Sequence, residues 1–216
     1  FVTAKLGAPD NVLFHRWLQG VFECAKPENK AMQDAMFTIH QRGVRLATLN
    51  YDHLIETVTG LQGIVLDSSS DCTRWMQGEK KAVMHLHGTY ERPESVILGI
   101  RDYQTTQGDA LRDLFQKSLA AYKRLLFIGC GDTFADPNFS ALTKWLNDNL
   151  KSAAKMHYAL VREDEVSKRH TDVSWHGFVE PLSYGTAYDD LPIFLNELFA
   201  VGSAGLNKAS SKRART

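Results

Sequence analysis

Hydrophobic positions recur at helical spacing near the start of the chain and form short continuous runs further along. The helical spacing predicts helices over residues 10–24 and 28–42, with Asp10 or Asn11 as the first N-cap and Gly43 as the second C-cap. The continuous runs are partly β-branched and apolar on both faces, which is typical of strands buried in a parallel sheet. Five such strands are predicted, at 44–49, 82–86, 125–128, 156–161 and 178–182.

Helical patterns lie between several of these strands, and the clearest predicted helices are at 108–122, 138–151 and, after the last strand, 188–200. Strands that alternate with helices predict βαβ units, and therefore an α/β fold with a Rossmann-like parallel sheet flanked by helices. At 216 residues the chain suits a single domain, which we assign to 1–201. Residues 202–216 are polar and basic, which predicts a flexible tail; a nucleic-acid-binding arm is the less favoured alternative.

Composition narrows the range of partners. Lys plus Arg and Asp plus Glu number 25 each, so the net charge gives no sign of a direct nucleic-acid site. The three cysteines, Cys24, Cys72 and Cys130, are far apart and form neither a disulfide framework nor a paired metal motif. No apolar run is long enough for a membrane span and no secretory leader is evident, so we expect a cytoplasmic protein without a membrane partner.

The ends of the strands are the first place to look for chemistry, because open parallel sheets bind ligands beyond the carboxyl ends of their strands. After the first strand the chain reads Thr48-Leu49-Asn50-Tyr51-Asp52. The amide of Asn50 offers two donors and an acceptor at a strand end. Asp52 has two interpretations, as a ligand-binding carboxylate or as the cap of the helix that Leu54 and Ile55 begin.

Histidines and a glycine end the second strand, in His85-Leu86-His87-Gly88. Gly88 has no side chain and would allow a ligand to approach the backbone closely. A lone histidine is usually structural, and packing is the favoured interpretation of His85. His87 is the better candidate for catalysis, because imidazole exchanges protons near neutral pH.

The third strand ends in Gly129-Cys130-Gly131-Asp132, where the two glycines would bring backbone amides close to a phosphate or ribose. Asp132 would accept hydrogen bonds from hydroxyl groups. A Gly-x-Gly by itself is weak evidence of a nucleotide site. The following Asp136-Pro137 reads as the N-cap and first residue of the next helix, which explains it structurally.

Taken together and in order, these segments resemble the sirtuin-like family, especially bacterial members found in antiphage defence. The resemblance covers roughly residues 44–190. Its first block is Thr48 to Asp52, which resembles the family's T-x-N-Y-D. The others are 83–103 with His87-Gly88 and Asp102-Tyr103, 125–138 with Asp136-Pro137-Asn138, and the late strand Pro181-Leu182-Ser183-Tyr184-Gly185.

The resemblance implies residue roles. Asn50 and His87 are carried over as the catalytic pair, and NAD is expected as the substrate. We assign the remaining positions to NAD binding: Thr48, Asp52, Gly88, Gly129, Cys130, Gly131, Asp132, Tyr184 and Gly185.

Two departures from the family pattern matter. The early glycine-rich loop G-A-G-x-S is absent, since Leu6-Gly7-Ala8-Pro9 has no strand before it; we expect the first βα unit to lie upstream of Phe1. The stretch between His87 and Gly129 contains no cysteine, whereas deacylase sirtuins carry a zinc module of two cysteine pairs there. We therefore expect no metal, and water rather than an acyl-lysine peptide as the acceptor.

These features predict an NAD hydrolase that cleaves the nicotinamide–ribose bond, as an NAD-depleting effector in antiphage defence. The alternatives are a protein deacylase or ADP-ribosyl transferase, and a catalytically silent nucleotide-binding assembly module. Since free NAD hydrolysis would harm the host cell, we expect gating by homo-oligomer assembly, by a partner ATPase or by an Argonaute-type sensor.

Overall fold

The computed structural model describes residues 11–97, 110–130, 148, 157–171 and 179–200. The predicted helix 138–151, apart from Asp148, and the predicted tail 202–216 lie outside these residues. So do two of the expected NAD-binding residues, Gly131 and Asp132.

Three parallel strands form the first sheet: β1 (Leu46–Thr48), β2 (Gln62–Val65) and β3 (Ala82–His85). β3 is central, with β1 on one side and β2 on the other. In the pairing of β1 with β3, Thr48 lies opposite His85. The two strands therefore end side by side, and the segments that follow them start from neighbouring points.

Four helices accompany this sheet, and local capping sets their bounds. They are α1 (Val12–Phe22), α2 (Lys30–Gln41), α3 (Leu54–Thr59) and α4 (Ser69–Gln77). The side chains of Asn11 and Asn29 accept hydrogen bonds from backbone amides of α1 and α2. Asn11 is thus the N-cap of α1, as one of the two predicted alternatives has it.

The second sheet is also parallel and consists of β4 (Leu126–Ile128), β5 (His157–Val161) and β6 (Val179–Ser183). β5 is central in the described sheet. Pro181 lies within β6, which suits a strand paired on one side, because proline has no backbone N–H to donate. The remaining helices are α5 (Ala110–Tyr122), α6 (Val166–His170) and α7 (Asp190–Ala200), with 3-10 turns at Pro93–Ser95 and Glu163–Glu165.

One buried cluster connects the two sheets. Leu46 and Val83 from the first sheet pack with Leu160 from the second, and helices α2 and α7 cover them with Ile39 and Leu195. Leu126 and Ile128 of β4 pack against the same cluster. This arrangement confirms the predicted α/β class with parallel sheets flanked by helices. Among the described helices, none is both long and apolar enough to cross a membrane.

The sequence pattern does not predict β2 or α4, although the pair supplies an edge strand and a covering helix. In α1 the apolar residues Val12, Leu13 and Val21 are at least half exposed, whereas Phe14 and Leu18 form the buried stripe at i, i+4 spacing.

Candidate functional site

The carboxyl ends of β1 and β3 form the centre of the candidate site. Beyond the strand pairing, the Leu86 amide donates to the Thr48 carbonyl at 2.9 Å. Asn50 and His87 each lie two residues beyond the paired residues Thr48 and His85. The fold therefore brings the two predicted catalytic residues to equivalent positions at one edge of the sheet.

Asn50 is held by its backbone and exposed at its side chain. Its N–H donates to the Thr48 hydroxyl oxygen at 3.0 Å, and its C=O accepts from His85 Nδ1 at 3.1 Å. Fixing both main-chain groups restricts the direction in which the side chain leaves the backbone. The side-chain amide is thus available for a ligand, while the backbone of Asn50 is held in place.

Hydrogen bonds join the loop after β1 to the loop after β3. The Tyr51 carbonyl accepts from the Tyr90 amide at 3.0 Å and from the Thr89 hydroxyl at 3.2 Å. The Tyr51 hydroxyl in turn donates to the Ile97 carbonyl at 2.6 Å. These contacts make the two predicted motif blocks one connected unit.

His85 is fully buried, as the packing interpretation predicts, and both of its ring nitrogens have partners. Nδ1 lies against the Asn50 carbonyl, and Nε2 lies 2.5 Å from Glu56 Oε1. Burial lowers the pKa of His85, but the hydrogen bond and negative charge of Glu56, with smaller contributions from Asn50 and Asp52, outweigh burial and raise it above 6.5. Glu56 therefore stabilises the charged form of the ring against the effect of burial.

Among the residues that the structure describes, His53, Glu56 and His85 form a group whose composition would suit a metal, with ligand atoms within 4.8 Å of one another. Their existing contacts suit an ion pair better. The Thr89 hydroxyl oxygen lies 2.6 Å from His53 Nε2 and 3.2 Å from the Tyr51 carbonyl, so this ring nitrogen already has a hydrogen-bond partner. His85 Nδ1 must carry a proton for a carbonyl, and its Nε2 faces a carboxylate.

The side chain of His87 is 7% exposed, and its carbonyl accepts from the Ile97 amide at 3.1 Å. Gly88 is buried with φ +84, and a Cβ there would collide with the backbone of Ser95. Asp52 Oδ1 accepts from the Leu54 amide at 3.1 Å, which is the capping contact expected of its structural interpretation.

At the end of β4, Gly129 is exposed with φ +68, and no described residue lies within 4 Å of a Cβ placed there. The Cys130 thiol contacts the Ile128 carbonyl at 3.7 Å, and burial raises the pKa of this thiol to about 11. A protonated thiol is a poor nucleophile, so Cys130 offers contact rather than covalent chemistry.

Tyr184 and Gly185, two of the expected NAD-binding residues, follow β6. Tyr184 is 7% exposed, and burial raises the pKa of its hydroxyl. Gly185 has φ +133 and packs against the Asp190 side chain, which also accepts from the amides of Thr186 and Ala187 at 2.9 Å each. The backbone turn at Gly185 is therefore fixed by the start of α7.

Glu56, Thr89 and the Tyr51 hydroxyl are absent from the predicted site, although Glu56 binds His85 and Thr89 binds the Tyr51 carbonyl. Glu56 follows the T-x-N-Y-D block by four residues on a helix. A carboxylate in the first turn of the helix that follows this block was the sequence signal that could have identified Glu56. The partner of Glu56 is distant in sequence, so only the fold identifies it.

Comparison with known families identifies the domain to which this edge of the sheet belongs. Residues 44–178 match the SIR2-like domain family, a range that contains β1 to β5 and both segments of the Asn50–His87 edge. SIR2-like domains are Rossmann-like, use NAD and form an NAD-dependent enzyme superfamily. The match covers more than half of the chain, which belongs to the SIR2-like domain family.

Proposed function

We propose that this chain cleaves the nicotinamide–ribose bond of NAD and transfers the ribosyl carbon to water. The observation that carries the proposal is the anchored but exposed Asn50, which lies at a strand end beside the segment His87-Gly88. In a SIR2-like domain this edge is the position expected for the reacting ribose. The exposed amide is free of the helix-capping role that Asp52 has.

The reaction mainly requires that the ribose and the attacking water be held in position. Nicotinamide leaves as a neutral molecule from a cationic ring, and the ribosyl carbon gains oxocarbenium character as the bond breaks. The Asn50 amide would hold water or a ribose hydroxyl at the reacting face. His87 would accept the proton that the attacking water loses, as a general base.

Water is the acceptor that fits the sequence best. Deacylase sirtuins build part of their peptide cleft on a zinc module, and the stretch between Gly88 and Ile128 contains no cysteine. The deacylase or ADP-ribosyl transferase alternative therefore has less support. The other alternative, a catalytically silent assembly module, would be selected if the test below shows NAD binding without nicotinamide release.

The proposal is tested by nicotinamide release from NAD by the full-length protein. Asn50→Ala and His87→Ala should each lower turnover by about 10²–10⁴-fold, the range expected for a positioned acid–base or orienting group. Gln19→Ala, which removes an exposed amide on α1, is the matched control and should retain full activity. Unchanged turnover in Asn50→Ala and His87→Ala, or NAD binding without any release, would contradict the proposal.

We propose further that the enzyme is an NAD-depleting effector in antiphage defence, held inactive until it assembles or meets a partner ATPase or Argonaute-type sensor. The support is the resemblance of the Thr48–Asp52 block to bacterial defence members and the harm that ungated hydrolysis would cause. The same release assay, repeated with the proteins encoded beside its gene and over a range of concentrations, measures the gating.

A further inference from the structure

Glu56 and His85 form a buried pair that the proposed reaction does not use directly. The side chain of His85 is 0% exposed and that of Glu56 is 11% exposed. Glu56 Oε2 is also buried and has no hydrogen-bond partner within the part of the chain that is described. Burial of two ionisable groups is costly and contributes little net stability, so their retention at a functional edge favours a specific role.

The partners of His85 indicate that role. A carbonyl oxygen only accepts hydrogen bonds, so Nδ1 carries a proton towards Asn50; a carboxylate also accepts, so Nε2 carries a proton towards Glu56. The ring is then an imidazolium that links the carboxylate to the backbone of Asn50. Second contacts of this kind orient functional groups in many active sites.

We propose that Glu56 and His85 are positioning residues: a charged imidazole, fixed by the carboxylate, holds the main-chain carbonyl of Asn50 and so aims its side-chain amide. This inference rests on the proposed function of Asn50. Thr48 holds the N–H of the same residue, and His85 supplies the second of two anchors. Loss of the second anchor lets the peptide after Asn50 rotate and moves the amide.

The surroundings of His85 accommodate its hydrogen bond to Glu56. The titratable groups that face the ring are Glu56 and His53 from α3 and its lead-in, and Asp52 by its charge; the His53 ring is 5.4 Å away and T-shaped to it. From β2, Gly63 supplies no side chain, and a Cβ there would lie 2.9 Å from Glu56 Oε1 and 3.2 Å from His85 Nε2. The glycine leaves room for the pair.

Two substitutions at His85 separate its two contacts. The side-chain nitrogen of asparagine occupies the place of Nδ1, and that of glutamine occupies the place of Nε2. His85→Asn therefore keeps the contact to Asn50 and loses Glu56, whereas His85→Gln keeps Glu56 and loses Asn50. Each variant loses one buried hydrogen bond, so a purely structural residue would give similar losses of activity in both.

We expect His85→Gln to lower kcat by about tenfold to a hundredfold with little change in KM, since a displacement of about 1 Å at a reacting group has that effect. His85→Asn should retain most of the wild-type kcat at a comparable melting temperature. Equal kcat in the two variants would overturn the positioning role.

A second measurement is independent of activity. Nitrogen-15 NMR of the histidine rings should show His85 doubly protonated at neutral pH, with the signal assigned by its loss in His85→Asn. In Glu56→Gln, the His85 ring should be singly protonated at neutral pH. The carbon-13 chemical shift of the Asn50 carbonyl should change in His85→Gln but not in His85→Asn. If the wild type releases no nicotinamide, these shifts still decide whether the pair holds Asn50.

A singly protonated His85 in the wild type would overturn the proposal, whatever the activity. Stoichiometric zinc in the purified protein, lost in Glu56→Gln, would overturn it in favour of a metal centre.

Discussion

Two glycines at strand ends share a left-handed backbone but differ in what surrounds them. Close approach to a ligand is the purpose predicted for both. At Gly88 the space beside the α-carbon is filled by the backbone of Ser95, whereas at Gly129 no described residue lies within 4 Å of that space. Gly88 is therefore explained by packing within the site, and at Gly129 the described residues leave space for a ligand.

Alanine at each position separates conformational strain from collision. Gly129→Ala should lower the free energy of unfolding by about 1–2 kcal/mol, the cost of a left-handed L-residue. Gly88→Ala should lower it by about 1–3 kcal/mol more, because the segment at Ser95 must move to admit the methyl group. Urea unfolding of both variants measures the difference, and equal losses would refute the collision at Gly88.

The candidate site was predictable from the sequence only in part, for a physical reason. Asn50, His87 and Asp52 follow predicted strands, so local pattern locates them. The partners that hold Asn50 and the Tyr51 carbonyl come from residues 35 and 38 positions away, His85 and Thr89. Which backbone group accepts from which side chain depends on the register of β1 with β3, which local pattern does not specify.

At the scale of elements, continuous apolar runs gave correct strand predictions, whereas a strand of mixed polarity was not predicted. β1 and β3 to β6 all fall within or within one residue of the predicted runs. β2 has the sequence Q-G-I-V and is exposed at its first two residues, so it carries no strand pattern of its own. This segment becomes a strand because it pairs with β3, a tertiary contact that overrides its local propensity.

Trp75 shows how α4 is held by a contact that the local pattern does not reveal. It is 2% exposed in α4, and its indole N–H donates to the Ala82 carbonyl at 2.9 Å. Trp75 therefore packs α4 against the start of β3.

The junction of β4 and β5 contains a titratable group. His157 is 2% exposed, and its Nδ1 accepts from the Leu125 amide at 3.3 Å. Burial, with the nearby positive charge of Arg124, lowers the pKa of His157 to about 4. The folded protein thus keeps the ring neutral at a pH where the unfolded chain binds a proton.

This difference predicts that acid destabilises the second sheet. Between pH 6.5 and about 4 the unfolded state binds more protons at His157, so its contribution is full above pH 6.5 and is lost as the pH falls. The loss reaches at most about 3 kcal/mol. His157→Asn keeps an acceptor for the Leu125 amide without titrating, so the gap in unfolding free energy between wild type and variant should shrink across this range. A pH-independent gap would contradict the assignment.

At the scale of the whole molecule, the shared core determines whether the two sheets behave as one unit. Leu46 and Val83 belong to the first sheet, Leu160 belongs to the second, and Leu195 from α7 packs in the same cluster. A cluster that spans both sheets couples their stability, because neither can open without exposing the same side chains. The candidate site lies at the end of β1 and β3, so its geometry depends on this coupling.

A substitution in α7 tests that coupling. Leu195 is 0% exposed, and Leu195→Ala should lower the free energy of unfolding by about 2–5 kcal/mol; Leu198→Ala on the same helix, 44% exposed, should change it by about 0.5 kcal/mol or less. Hydrogen exchange at the amides of Val83 and Leu160 should accelerate together in Leu195→Ala, since both strands lose the same packing. If the amide of Leu160 accelerates while that of Val83 keeps its protection, the sheets open independently. The anchoring of Asn50 would then depend on the first sheet alone.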